Sequence, residues 1–526
     1  MKTIAIAIPI LALLAVAAWS SSAQAQVEEE AEILVEEETI PPPPRELLRG
    51  IDQYKKKEYG LAALDLWQVV DDSYYEYYHG DASFYLARSL DMMGYPYAAL
   101  DEYQRFLRVG GESDNFHKGF DHAVVLADEL DAGWLLADGL SYHSSDAFGR
   151  EGGPRALYWV GKTLFEAERL AEARAYLQAV PRSSEFYSRA KLIEGVVLTK
   201  QYKPKEAIAP FTIAYETAKN DPEQQRVAQL ANLNLARTYY AIKNFERAIE
   251  HYRAVPRESL DWHAARFEMA WAFYMMGRLN DSLAELQSVT SPFFDEWYIP
   301  EPRLLRILVY YNLCKYDDGA TMLEDFTSSH MPVQQQLNEA VQEGRREPER
   351  LFNTMVAYVS EGERTGIPLP ESVLHLWIRD ESIKRAGAFV AEVDGELQRL
   401  ERDATGFGSS SAGYDIRDRL EQRIYDIRGF HTDRVLARLN GMNRQLVDYL
   451  GQSELYKLEM LSKKRRLLEA AASGRVQEMI RMRQRGFREP PGYVSWPFEG
   501  EYWIDELGWY QIDTLDECKE ILDRAQ

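Results

Sequence analysis

Between residues 45 and 330, small and large apolar side chains recur in a fixed order. Gly161, Leu164, Leu170, Ala173, Leu177 and Val180 are matched by Ala236, Tyr239, Phe245, Ala248, Tyr252 and Val255. The order returns in Ala87, Leu90, Gly94, Ala99, Tyr103 and Phe106, again in Gly195, Leu198, Ala207, Phe211 and Ala214, and again in Ala270, Phe273, Gly277, Leu283, Leu286 and Val289. Steps of three and four place such positions on one face of a helix. The small residues stand twelve positions apart, as Gly161 and Ala173 do, which leaves room for a turn between two helices. The pattern therefore predicts antiparallel helix pairs that touch through small residues, with the large ones filling the groove against the next pair. Aligning the small residue of the second helix gives Ala63, Ala99, Ala137, Ala173, Ala207, Ala248, Ser282 and Ala320, at intervals of 36, 38, 36, 34, 41, 34 and 38. The units around Ala137 and Ala320 are degenerate, and the glycines at 149, 152 and 153 point to an insertion before the fourth unit.

This layout resembles the tetratricopeptide (TPR) repeat, a unit of about 34 residues with Gly/Ala, Tyr, Ala and Phe/Tyr at these offsets. The resemblance implies an all-α fold, a right-handed superhelix of helical hairpins, that carries no chemistry and no cofactor of its own. It also implies a concave groove, lined by the first helices, for protein partners or extended peptide segments. In this register the groove positions include Phe84, Arg88, Tyr158, Lys162, Phe165, Arg237, Tyr240, Phe267, Trp271 and Tyr274. Cations interleaved with aromatics suit an extended, partly anionic segment. Packing between repeats, with ordinary solvated charges, is the competing reading. The Lys/Asn arrangement by which some family members grip a terminal carboxylate is not among these positions.

Past His330 the period stops. Helical patterning continues to about residue 405, and the run from Gly406 to Gly413 reads as a flexible joint. From Tyr414 to Arg485, Leu420, Ile424, Ile427, Val435, Met442 and Leu446 recur at helical spacing, as in long amphipathic helices that either fold back as a hairpin or pair as a coiled coil with another chain. Lys463, Lys464, Arg465 and Arg466 open a basic stretch that suits an anionic lipid, a glycan, an acidic partner or the protein's own acidic surface. The tail from Trp496 to Tyr510 is dense in aromatics and acids, which predicts docking on the preceding helices or a partner-binding motif. A bond between Cys314 and Cys518, the chain's two cysteines, would staple that tail to the last repeat; two free thiols are the alternative.

Composition narrows function more than fold. The 526 residues carry a net charge of −23, which argues against a nucleic-acid surface over most of the chain. The charge is uneven: residues 371–490 sum to +3 and residues 491–526 to −7, so self-association through opposite charges is a further expectation. Lys2, an apolar run from Ile4 to Ala18 and the small residues before Gln26 read as a signal peptide cleaved between Ala25 and Gln26, with no lipoprotein cysteine and no later spanning segment. A periplasmic or secreted product is expected. Val27 to Ile40 holds seven glutamates and is followed by four prolines, an acidic, stiff linker. The resulting divisions are 1–25 signal, 26–44 linker, 45–330 repeats, 331–490 C-terminal helices and 491–526 tail. HExxH, GxSxG and phosphate-cradling glycine motifs are missing, and the nearest histidines, His117 and His122, form no metal pattern, so no catalytic, metal or cofactor site is expected. Two functions fit: an exported scaffold for protein–protein interactions in a bacterial cell-envelope assembly, or an envelope module binding peptidoglycan, lipid or glycan through the basic helices.

Overall fold

The computed structural model describes residues 42–294, 298–362, 366, 368–378, 380–403, 406–470 and 500–517. The signal and nearly all of the linker lie outside them, as do the cleavage pair Ala25 and Gln26 and residue Cys518.

Among the described residues every regular element is helical. The helices pair in chain order: α1 (Arg45–Lys55) with α2 (Tyr59–Asp71), α3 (His79–Met92) with α4 (Pro96–Val109), and α5 (Phe116–Glu129) with the single turn α6 (Ala137–Leu140). There follow α7 (Gly149–Glu166) with α8 (Leu170–Ala179), α9 (Tyr187–Lys200) with α10 (Pro204–Ala218), and α11 (Gln225–Ala241) with α12 (Phe245–Arg253). The last two pairs are α13 (Trp262–Met275) with α14 (Leu279–Val289) and α15 (Glu301–Asn312) with α16 (Tyr316–Arg346). Eight TPR-like hairpins thus stack in sequence.

What defines the unit is its turn. Each first helix ends on a residue with left-handed φ: Lys57, Gly94, Asp131, Glu168, Tyr202, Lys243, Gly277 and Cys314, at spacings of 37, 37, 37, 34, 41, 34 and 37. At every one, two amides turn back onto the helix just ended, as Gly94 N–H does to the Asp91 carbonyl and Tyr95 N–H to that of Leu90. This closure satisfies carbonyls the helix end leaves orphaned. The second helix starts two residues on, with proline at its first position in α4 and α10.

Five positions past each left-handed residue comes the small side chain at the helix contact: Ala62, Ala99, Ala173, Ala207, Ala248 and Ser282 are all fully buried. In the eighth hairpin that place is taken by Gly319, not Ala320. A Cβ on Gly319 would stand 2.8 Å from the Met460 methyl, so the glycine gives the end of that side chain room to sit against α16. In the fifth, a Cβ on Gly195 would stand 2.4 Å from the Phe211 ring, which the glycine lets sink into the core. Burying such a ring contributes about 2–3 kcal/mol. The third hairpin carries Leu136 at this place, and its second helix shrinks to a 3-10 turn, Gly133–Leu136, plus α6.

The C-terminal region departs from expectation. The boundary near residue 330 falls inside the continuous α16. Beyond α17 (Pro348–Glu361), α18 (Glu371–Leu374) and α19 (Glu381–Glu401) comes α20, one unbroken helix of 60 residues, Ser411–Ala470, about 90 Å long. It is one helix and not a hairpin, and one apolar face of it is covered by the first hairpins, by α16 and by α17 to α19, while Leu455, Leu458 and Leu461 stay exposed. Ile416, Leu420 and Ile424 enter the core of the first three hairpins, and Val435, Leu439, Leu446 and Met460 enter a second core with α15 to α18. The stretch read as a flexible joint is packed: Phe407 and Gly408 are buried, and their amides donate to the Asp403 carboxylate at 2.9 and 3.3 Å.

Polar contacts fix the register of this helix. At its start the Trp67 indole N–H donates to Asp415 (3.0 Å), Arg419 reaches Asp101 and Glu102 (both 2.6 Å), and Arg423 reaches Asp101 (2.8 Å). At its far end Lys457 pairs with Glu324 at 2.9 Å and Lys464 with Asp317. α20 is therefore a strut from the first hairpins to the last. Helix α19 adds a cap in trans: the buried Glu396 carboxylate accepts the Tyr97 and Ala98 amides (3.0 and 2.9 Å) at the start of α4, where the helix dipole favours an anion.

Candidate functional site

The groove positions named from sequence are spread over α3, α7, α11 and α13. Phe84 is buried against Tyr85 and Phe106, and Arg88 pairs with Asp91 at 2.9 Å. Tyr158 stacks on Phe186, Lys162 lies 4.0 Å from Glu166, and the Phe165 ring faces Lys200. Arg237 forks onto Glu268 of α13 (2.6 Å), and Tyr240 packs edge-on against Phe245. Two sets come together: Tyr158 and Phe165 pack against one cluster around Leu177, and Phe267, Trp271 and Tyr274 of α13 share another, Trp271 edge-on to Tyr274, whose hydroxyl accepts from Asn312 at 2.8 Å. At the turn after the first hairpin, Tyr75 and Tyr78 pack on the core while Tyr74 and Tyr77 are exposed.

The basic residues at the end of α20 divide too. Lys463 lies over the Tyr311 ring (4.1 Å) and donates to its hydroxyl, and Lys464 is held by Asp317. Arg465 and Arg466 are exposed, Arg465 pairing with Glu469 one turn on.

Residues 500–517 of the aromatic, acidic tail are docked on the seventh and eighth hairpins, turning through residues 504–509 and running extended beyond Tyr510; Trp496 and the start of the tail lie outside the described residues. Leu507 is buried among Trp262, Ala265 and Met269. Gly508 turns there with φ +86°, and its amide donates to the Ser288 hydroxyl at 2.7 Å. A Cβ at 508 would stand 3.0 Å from the Arg266 guanidinium. Beyond this point exposure alternates: Tyr510, Ile512 and Thr514 turn toward the protein while Trp509, Gln511, Asp513 and Leu515 face out, the period of an extended strand. Ile512 joins Phe267, Trp271 and Tyr274, so this segment covers the expected groove aromatics of α13. Thr514 N–H donates to Asn280 (3.3 Å), Glu517 N–H to the Leu313 carbonyl (3.2 Å), and Lys315 pairs with Glu517 at 3.4 Å. Cys314 is disulfide-bonded, and the chain's other cysteine, Cys518, follows Glu517 directly.

The surface under the tail is cationic, on a protein of net charge −23. Arg257 donates to the Asp505 carbonyl (3.3 Å), and Arg257 and Arg266 both lie over Trp262, at 5.9 and 5.1 Å from the ring centre. Arg306 bonds Gln287, which donates to the Tyr502 hydroxyl at 3.0 Å. Burial lowers the pKa of Arg306, which has no carboxylate partner among the described residues. Arg266 has one: Glu285 at 3.2 Å, a carboxyl pushed up to about 7 by burial against the pull of that arginine. These cations were missed in the sequence, where each looks like a solvated charge. The alternation of Tyr510, Ile512 and Thr514 was the available signal.

Among the described residues no group of three His, Cys, Asp or Glu side chains could hold a metal ion, and no helix is long and apolar enough to cross a membrane. The histidines are used locally: His263 bonds the Val289 carbonyl and His330 that of Phe326, and burial lowers the pKa of both. The sequence matches no protein-family model and no curated protein. Solved structures with similar arrangements include the apo form of RapI (13% identity, TM-score 0.33, 64% of this chain and 98% of that one). Another is the Rap conjugation gene regulator of plasmid pLS20 in complex with the Phr* peptide (12%, 0.27, 65% and 97%). A third is the TPR domain of P58(IPK) (14%, 0.18, 72% and 97%). At such TM-scores these likenesses carry no argument about what this chain does.

Proposed function

We propose that this chain is an interaction scaffold, exported to the bacterial cell envelope and working as a component of a larger protein assembly. The observation that carries the reading is that the hairpin stack already holds residues 507–517, extended beyond Tyr510, through both backbone and side-chain contacts. Helical hairpins bury their faces only against their neighbours, so their outer surfaces are left for other chains. The leader pattern of residues 1–25 supports export. The rival reading, attachment to lipid or glycan through the basic end of α20, is weakened because Lys463 and Lys464 are already engaged by Tyr311 and Asp317.

Capture of partners from envelope extracts tests this. A full-length chain carrying R88A, K162A, R237A and W271A should lose protein partners that the parent retains. If partners persist unchanged, while retention on vesicles or sacculi is abolished by substituting Lys463 to Arg466, the scaffold reading fails and the rival stands.

A further inference from the structure

The tail strip has more binding capacity than the tail uses. Three N–H groups in or beside it, Arg257 Nη2, Arg266 Nε and Arg306 Nε, meet no acceptor although each is shielded from water. Leaving such donors unmatched costs stability, so the strip is incompletely satisfied by its resident. The resident also leaves much of its apolar surface in water. One side chain, Leu507, is buried, while Trp503, Ile504 and Trp509 stay 60%, 63% and 70% exposed. The strip reads alternate positions, taking an aromatic where Tyr510 sits and an aliphatic where Ile512 sits. It surrounds them with Arg257, Arg266, Arg306 and Lys315, beside the carboxylates of Glu285 and Asp281.

We infer that this strip is a binding site for an extended acidic peptide of a partner protein, with aromatic and aliphatic residues at alternate positions, and that residues 507–517 are a resident stand-in which the partner displaces. Charge complementarity selects the class: a segment with more carboxylates than the tail presents would supply the acceptors that the guanidinium groups lack. The inference rests on the scaffold reading and names its ligand, yet the two can fail separately.

The test uses the full-length chain with L507D and C518S, which remove the buried anchor and the tail's cysteine. A fluorescent peptide of residues 500–517 should bind this variant about tenfold or more tightly than the parent, whose strip is occupied. The same peptide with its carboxylates changed to amides should lose about tenfold on the same protein. Equal binding of the acidic and amide peptides, or no binding by a variant with parental helicity and melting temperature, overturns the proposal. So does a doubled sedimentation mass of the released variant, which would assign the strip to the tail of a second copy. If L507D lowers helicity, the parent decides: excess peptide should accelerate hydrogen exchange at the Gly508 and Thr514 amides, and unchanged exchange overturns the proposal. Loss of envelope partners from the four-residue variant combined with no peptide binding would leave the scaffold standing and remove this site alone.

Discussion

The first three hairpins and the middle hairpins are built on the same turn and the same small-residue contact, yet they are held differently. The core of the first three contains ten residues contributed from Ala386 to Ile424, including Phe389, Phe407, Ile416 and Leu420, and its outer side is bolted by Arg419 and Arg423. The two middle cores, around Leu177 and around Phe211, contain residues of α7 to α11 and their connecting turns only. In the middle, then, stability is a sum of neighbour contacts, whereas at the start it also depends on residues some 300 positions away. Local unfolding should begin in α8 to α11 and reach α2 to α4 last.

Substitution of Arg419 should break this contrast most strongly. R419A leaves Asp101 and the fully buried Glu102 without their main counter-ion; burial works against the arginine's charge, but Glu102, Asp101 and Asp415 outweigh it and raise its pKa. Removing one partner of such a buried group costs about 3–5 kcal/mol. R237A, which removes an exposed pair in the middle, should cost about 1 kcal/mol or less. Urea titration gives both values, and hydrogen exchange should show the loss at α2 to α4 for the first alone. Equal costs would mean that the strut does not brace the first hairpins.

Next in size is a dependence on pH. Burial pushes the Glu396 carboxyl up to about 7, against the pull of the Ala98 and Tyr97 amides. Unfolded, the group loses its proton near the ordinary glutamate value; folded, it keeps it until about pH 7, so the native state binds more protons in between. The stability it contributes is therefore present at low pH and lost as pH rises through that window, by about 3 kcal/mol at most. The stability difference between the parent and E396Q should shrink from pH 5 to pH 7.5. A difference that grows instead would assign the carboxylate a net favourable role as an anionic cap.

G319V sharpens the other end of the strut. A side chain there meets Met460 and should cost about 1–3 kcal/mol by overpacking, with exchange increasing at the end of α20. Smallest is a gain: Tyr202 is 93% exposed and held at φ +60°, a strain that glycine relieves. Y202G should raise stability by about 1 kcal/mol and, lying in the unbraced middle, should slow exchange there without touching α2 to α4.

The sequence made the hairpins legible because apolar spacing records which face of a helix is covered. It hid the turns, because the left-handed residue is glycine at only two of eight positions, Gly94 and Gly277. The register consequently slipped by one at Ala63, Ala137 and Ala320, where Ala62, Leu136 and Gly319 hold the place. It hid the strut as well. Leu420 and Ile424 announce a covered face without naming its cover, and nothing in Arg419 points to Asp101. The tail strip was illegible for the same reason, since Arg257 and Arg306 acquire meaning only once Asp505 and Tyr502 lie beside them.

A stack of hairpins without a brace behaves as a spring, whose pitch changes under load by small rotations at each interface. Between Asp415 and Lys464 the strut holds 49 residue steps of helix, about 70 Å, between the first and last hairpins. That fixes the span as a length gauge. Two partners attached at its ends would be kept at a set separation, and pulling on them would be resisted by α20 and its ion pairs before the repeats could stretch.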